Sequence, residues 1–167
     1  MSAYGPLRVL AGPPDPTDFA PFGAFLTPPT EVGGRAPFHE WLDGSQRLAP
    51  AYHLNRCAAT TLPATVARVE RHPHVAQLFL PVGVARYLVT VMPSDDAGGP
   101  EPAGAKSFIV PGRVGVAYHP GTWHAGIAAL DGEGCFAVMM WRGAEDDDVF
   151  ADIPPLEIVS AGGDAHG

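Results

Sequence analysis

The sequence predicts an all-β protein with short helical segments, built as a small antiparallel sandwich or barrel. Three observations lead there. Nineteen prolines and twenty glycines are spread through 167 residues, and proline is excluded from helix interiors and central strands, so the chain is cut into short elements joined by turns. Beyond His72 the apolar stretches are short and rich in Val, Ile, Phe and Tyr, each closed by Pro, Gly or Asp. No stretch between them carries a helical period.

Taken in order, Asp15, Thr17 and Asp18 offer capping groups, but Pro21 and Gly23 follow so soon that at most one short helix forms. Residues 27–30 (Thr-Pro-Pro-Thr) and 32–35 (Val-Gly-Gly-Arg) are loop, because paired prolines and paired glycines break regular structure. Residues 53–58 and 64–71 are strand candidates with weak alternation. Residues 75–82, 86–92, 106–110, 115–118 and 135–141 are the clearer strands. Residues 93–102, with three prolines, two glycines and two aspartates, form an exposed loop. The length suits one domain, residues 1–160, followed by a small polar tail at 161–167 that is expected to fray.

Ten Lys and Arg against eighteen Asp and Glu give a net charge of −8. That balance argues against nucleic acid or an anionic membrane as a partner, since both need a basic surface. It leaves a small anionic substrate open, because local arginines can serve one. No run approaches the roughly 20 apolar residues of a membrane span. With no apolar core of signal-peptide length among the first residues, Cys57 and Cys135 are expected to be free thiols in the cytoplasm.

Two histidine-bearing segments carry the chemistry. The first, His72-Pro73-His74-Val75-Ala76-Gln77 through Gly83, resembles the His-x-His motif of the cupins. The second, His119-Pro120-Gly121-Thr122-Trp123-His124, resembles their Pro-x-Gly-x-x-His motif, with His119 in place of the proline. Alternate residues of a strand face one way, so His72 and His74 can share a face, and a turn brings a histidine from another strand to meet them. The resemblance puts His72, His74, Gln77 and His124 at metal-ligand positions. Gln77 stands where a cupin has its anionic ligand, and a neutral amide holds a divalent cation less well than a carboxylate does. The implied ion is therefore weakly held, and nickel or zinc suits imidazoles better than magnesium or calcium.

A closer resemblance runs from about residue 5 to about residue 155. Asp18 to Gly23, Leu54-Asn55-Arg56, Glu70-Arg71-His72-Pro73, Gln77 to Pro81 and Gly115 to His124 are similar to segments of the ureidoglycolate lyase family, in the same order and spacing. The resemblance implies a cupin-like double-stranded β-helix, usually a homodimer, that splits ureidoglycolate into glyoxylate and urea in purine (allantoin) catabolism. Two departures stand out. Ala125-Gly126-Ile127 follows His124 where the family often has His-Pro-Leu, and Trp141 precedes Arg142 where some members have Asp. They leave two alternatives open: a non-catalytic cupin that binds a small molecule, and a metal-dependent cupin enzyme acting on another small hydroxy or ureido acid.

The substrate is a carbinolamide that bears a carboxylate. Its cleavage needs a base, an acid or cation to help urea leave, and a cationic clamp. His119 and His124 are the leading bases, with His72 a further catalytic candidate. Arg56 is the chosen clamp, since guanidinium meets carboxylate bidentately, with Arg71 and Lys106 in reserve. Gln77 can exchange hydrogen bonds with a ureido group. Tyr118 and Trp123 are expected to wall the pocket. Glu70 is read as a partner for Arg71, and residues 145–148, all acidic, as a solvated loop.

Overall fold

The computed structural model describes residues 5–42 and 47–162. The fraying expected of residues 161–167 therefore falls mostly outside the described residues. In chain order the elements are β1 (Leu7–Gly12), α1 (Pro16–Phe19), β2 (Gly23–Leu26), a 3-10 turn (His39–Leu42), β3 (Ala49–Cys57), β4 (Ala59–Thr60), β5 (Ala64–Arg71), β6 (Gln77–Gly83) and β7 (Arg86–Met92). After a short 3-10 turn (Pro102–Gly104) come β8 (Lys106–Pro111), β9 (Gly115–Tyr118), β10 (Trp123–His124), β11 (Ala128–Leu130), β12 (Gly134–Arg142) and β13 (Val149–Ser160).

The strands form two sheets. The larger is ordered β10-β5-β13-β1-β8-β7-β11-β4, and a further pairing of β10 with β7 closes six of its strands into a ring. The smaller is ordered β2-β9-β6-β12-β3. The all-β, cupin-like barrel expected from the sequence is thus observed. Most ladders are antiparallel, and β1 with β13, β1 with β8 and β11 with β4 run parallel.

Side-chain alternation gives the larger sheet two buried faces. Tyr87, Val89 and Val91 of β7 and Phe108 and Val110 of β8 join Phe79, Val116, Tyr118, Phe136 and Val138 in the core between the sheets. Their alternates, Leu88 and Met92, join Val9, Val69, Trp123, Leu156 and Ile158 on the other face. Asp15 starts α1 by accepting from the Thr17 and Asp18 amides at 2.9 and 3.1 Å, with Pro16 in the first turn. The helix seats Phe19, fully buried, 4.4 Å from Phe25 and 5.6 Å from Phe108. Burying such a ring stabilises the fold by about 1.5–3 kcal/mol. At Gly23 any Cβ would lie 1.8 Å from the Ala117 carbonyl oxygen, so only glycine lets β2 pass this close to β9.

Three sequence expectations change. β13 was not foreseen, because Pro154 and Pro155 argue against a strand; the ladder to β5 breaks its register between Asp152 and Leu156 and lets them pass. β1 was missed as well. The strand expected over residues 75–82 starts at Gln77, because residues 73–75 bend behind Pro73. His72 and His74 therefore do not share a strand face. No helix among the described residues is long and apolar enough to cross a membrane.

Candidate active site

His124 is the second residue of β10, which lies between β5 and β7. There it pairs with Glu70 on one side and Val91 on the other. Residues directly opposite in an antiparallel ladder point to the same face, so the Glu70 carboxyl and the His124 imidazole stand side by side. His72, two residues beyond Glu70, brings a second ring to within 5.5 Å of His124, centroid to centroid. One ligand atom from each of Glu70, His72 and His124 lies within 4.8 Å of the others.

The turn that precedes β10 is tied to this cluster. Gly121 has φ +77°, which favours glycine, and its amide donates to the His72 carbonyl at 2.8 Å. The Ala125 amide donates to the Thr90 carbonyl at 2.9 Å and fixes the other side of His124.

Both imidazoles have a defined tautomer. His124 Nδ1 faces the Ala125 carbonyl at 3.2 Å, and His72 Nδ1 faces the Asp147 carbonyl and Asp148 Oδ1, each at 3.0 Å. Carbonyls and carboxylates only accept, so both Nδ1 atoms carry the proton and both Nε2 atoms keep a lone pair. Each Nε2 is buried with no hydrogen-bond partner among the described residues. Burial, helped by the neighbouring His72, lowers the pKa of His124 to about 3, and the Ala125 hydrogen bond offsets only part of this. His124 is neutral at physiological pH. Burial also raises the Glu70 pKa, against the pull of His72, so Glu70 holds a proton more readily than an ordinary carboxyl.

Tyr118 supplies one wall, its ring stacked on His124 at 4.2 Å and 9°. Gln77 pairs with Tyr118 across β6 and β9, and its amide nitrogen donates to Met140 Sδ at 3.6 Å. Arg142, two residues on, grips Asp148 through both terminal nitrogens. That hydrogen bonding is the main reason the Asp148 pKa is lowered. Asp147 accepts from the Gly143 and Ala144 amides at 2.8 and 3.1 Å. Asp147 and Asp148 therefore form a structured cover over His72, while Glu145 and Asp146 are exposed, as a solvated loop would have them.

The other sequence candidates lie elsewhere or at the edge. His119 is exposed, its Nε2 donating to the Ala20 carbonyl at 3.2 Å and its ring 4.9 Å from Trp41. His74 is half exposed and bonds Asp146 at 2.6 Å. Arg56 has 72% of its side chain exposed and is paired with Glu133. It sits opposite Cys135, five residues along β12 from Met140, or about 17 Å at strand rise. Lys106 faces the same side as His124, with Val91 between them, but binds Asp18 at 2.9 Å. Arg71 lies 4.7 Å over the Trp123 ring with its Nε buried and without a partner among the described residues. Trp123 points away from His124 into the second core and donates to the Gly98 carbonyl at 3.2 Å.

Of the expected residues, the structure thus gathers His72, His124, Gln77 and Tyr118. Sequence reasoning undervalued Glu70 and omitted Arg142 and Asp148. Glu70 and His72 have the same two-residue spacing as a His-x-His pair, which was the available signal. Arg142 and Asp148 gave none, because they reach the site only through the fold.

A profile described as ureidoglycolate lyase matches residues 8–157. A ureidoglycolate lyase of Burkholderia cepacia is 31% identical over 152 residues, covering 83% of this chain and 81% of that protein. One of Burkholderia mallei is 32% identical over 136 residues, covering 76% and 78%. One of Pseudomonas syringae pv. tomato is 36% identical over a shorter stretch of 84 residues, 50% of this chain and 48% of that protein. By its sequence match along most of its length, and with the barrel and histidine cluster that accompany it, the chain belongs to the ureidoglycolate lyase family.

Proposed function

We propose that the protein is a lyase that cleaves ureidoglycolate to glyoxylate and urea. The observation that carries this reading is the pair of buried imidazole lone pairs beside the Glu70 carboxyl. The reaction needs one group that accepts a proton and one that gives it. His72 Nε2 takes the proton from the carbinol hydroxyl while Asp148, beside Nδ1, stabilises the imidazolium that forms. The carbon–nitrogen bond breaks, its electron pair stays on nitrogen, and the Glu70 carboxyl protonates that nitrogen as urea leaves. Arg142 supplies the positive charge that receives the substrate carboxylate, whereas Arg71 lies over Trp123 on the other face of the sheet.

Two imidazoles and a carboxylate also fit a weakly held divalent ion such as nickel or zinc. Bound by His72, His124 and Glu70, it would supply Lewis-acid polarisation of the carbinol oxygen in place of the proton acceptor. Incubation with racemic ureidoglycolate, with chelator and with added nickel or zinc, should release glyoxylate well above the spontaneous rate in at least one condition. Arg142→Ala should raise KM about tenfold or more in the active condition. Turnover at the spontaneous rate under all conditions sinks the assignment.

The proposed assembly is a homodimer. β3 lies at an edge of its sheet, with Tyr52 and Leu54 exposed by 55% and 73%, and an apolar edge strand invites pairing with a second copy. Light scattering should give twice the chain mass, and Leu54→Lys should shift it toward the monomer. A wild-type monomer at micromolar concentration excludes it. The proposed compartment is the cytoplasm, supported by the free thiols of Cys57 and Cys135 and checked by cell fractionation.

A further inference from the structure

Two buried polar atoms beside the triad have no role in the proton transfers. Gln77 Oε1 and Tyr118 Oη are both without a hydrogen-bond partner among the described residues. Gln77 is 7% exposed and Tyr118 1%, so water does not readily compensate them. An unmade bond at a buried donor or acceptor costs about 1–3 kcal/mol, which a chain avoids unless a ligand completes it. The Gln77 amide nitrogen is held by Met140 Sδ at 3.6 Å, so its oxygen is the end left free. Gln77 and Tyr118 are opposite one another in the β6–β9 ladder and face the same side. Tyr118 is held in place by its stack on His124.

Free, these atoms are one acceptor and one hydroxyl donor on adjacent strands. We propose that Gln77 and Tyr118 form the subsite that reads the ureido group, the Tyr118 hydroxyl donating to its carbonyl and Gln77 Oε1 accepting from its terminal NH2. The inference rests on the lyase reading and adds the element of selectivity. An amide or ester lacking the terminal NH2 would leave Gln77 Oε1 buried and unbonded. Burial also keeps the Tyr118 phenol protonated, since its pKa is raised well above the usual value.

The probes are N-carbamoylglycine, which carries the ureido group and carboxylate but no carbinol hydroxyl to react, and N-acetylglycine, in which a methyl group replaces the terminal NH2. Binding is measured by calorimetry, so no turnover is needed. Wild type should bind N-carbamoylglycine at least about tenfold tighter than N-acetylglycine. Gln77→Met should reduce that ratio to within about twofold. Tyr118→Phe should weaken both ligands by a similar factor and keep the ratio. Equal affinity in wild type, or no binding of either ligand, overturns the inference without recourse to any variant. A folded Gln77→Met protein that keeps the full ratio overturns it too. Selective binding with no cleavage of ureidoglycolate would keep the subsite and discard the lyase reading. Cleavage without selectivity would do the reverse.

Discussion

His72→Ala and His124→Ala should each lower ureidoglycolate turnover by at least about 100-fold, the lower end for losing a positioned acid–base group. The two Nε2 lone pairs face the same small volume beside Glu70, so neither imidazole can replace the other. In the proton-transfer reading His72 is the acceptor and the neutral His124 ring packs beside it; in the ion-binding reading both lone pairs are ligands. The double variant should therefore be about as slow as the slower single variant, not the product of the two losses, since groups that act as a unit are not additive. Steady-state release of glyoxylate, with circular dichroism to confirm folding, measures all three. A folded His124→Ala protein with near-normal turnover would leave the 119–124 turn with a structural role only. Full multiplicative losses would mean that the rings act in separate steps.

Acid should destabilise the chelator-treated protein well above the range where ordinary carboxylates titrate. The pKa of His124 falls from 6.5 to about 3 on folding. A base with a depressed folded pKa contributes stability that is complete above its unfolded value and is lost as pH falls toward the folded one. At pH 5 the unfolded chain binds the proton and the folded chain does not, a difference of about 2 kcal/mol at 1.36 kcal/mol per unit. For a chain of this size that lowers Tm by about 4–8 °C between pH 7 and pH 5. Glu70 works the other way, because its raised pKa favours the folded state as it takes up a proton. Asp148, with its lowered pKa, loses its stabilising effect only below this window. His124→Phe keeps an aromatic ring against Tyr118 and removes the titrating group, so its melting curve should change much less over the same interval. An equal pH response in wild type and His124→Phe would assign the acid sensitivity to other residues.

The legible parts of the fold were those where local pattern and tertiary environment agree. β7 and β9 were read to the residue, because their apolar runs end in Pro, Gly or a charged residue. β13 was hidden because two prolines in the middle of a strand are tolerated only where a register break spares their missing amides. The site divides along the same line. His72 and His124 could be found from motifs, since each lies in a short segment with its own turn. Arg56 was chosen as clamp for its chemistry alone, and the strand register turns it toward Glu133 instead. Asp147 and Asp148 meet His72 from the far end of the chain, with Arg142 holding Asp148, and no local period encodes a contact of 75 residues' separation such as that of His72 with the Asp147 carbonyl.

β10 has only two residues, yet it bridges β5 and β7 and so forms the seam of the six-stranded ring. One of those residues is His124. Fastening the ring and completing the cluster are therefore the same event, because the bonds that place β10 also bring its imidazole to Glu70. An opening fluctuation at this seam, of the kind that frees short segments without unfolding the whole, removes a ligand or proton acceptor as it removes the seam. Glu70 and His72 stay with β5 and the 147–148 segment, so the seam governs the second imidazole alone.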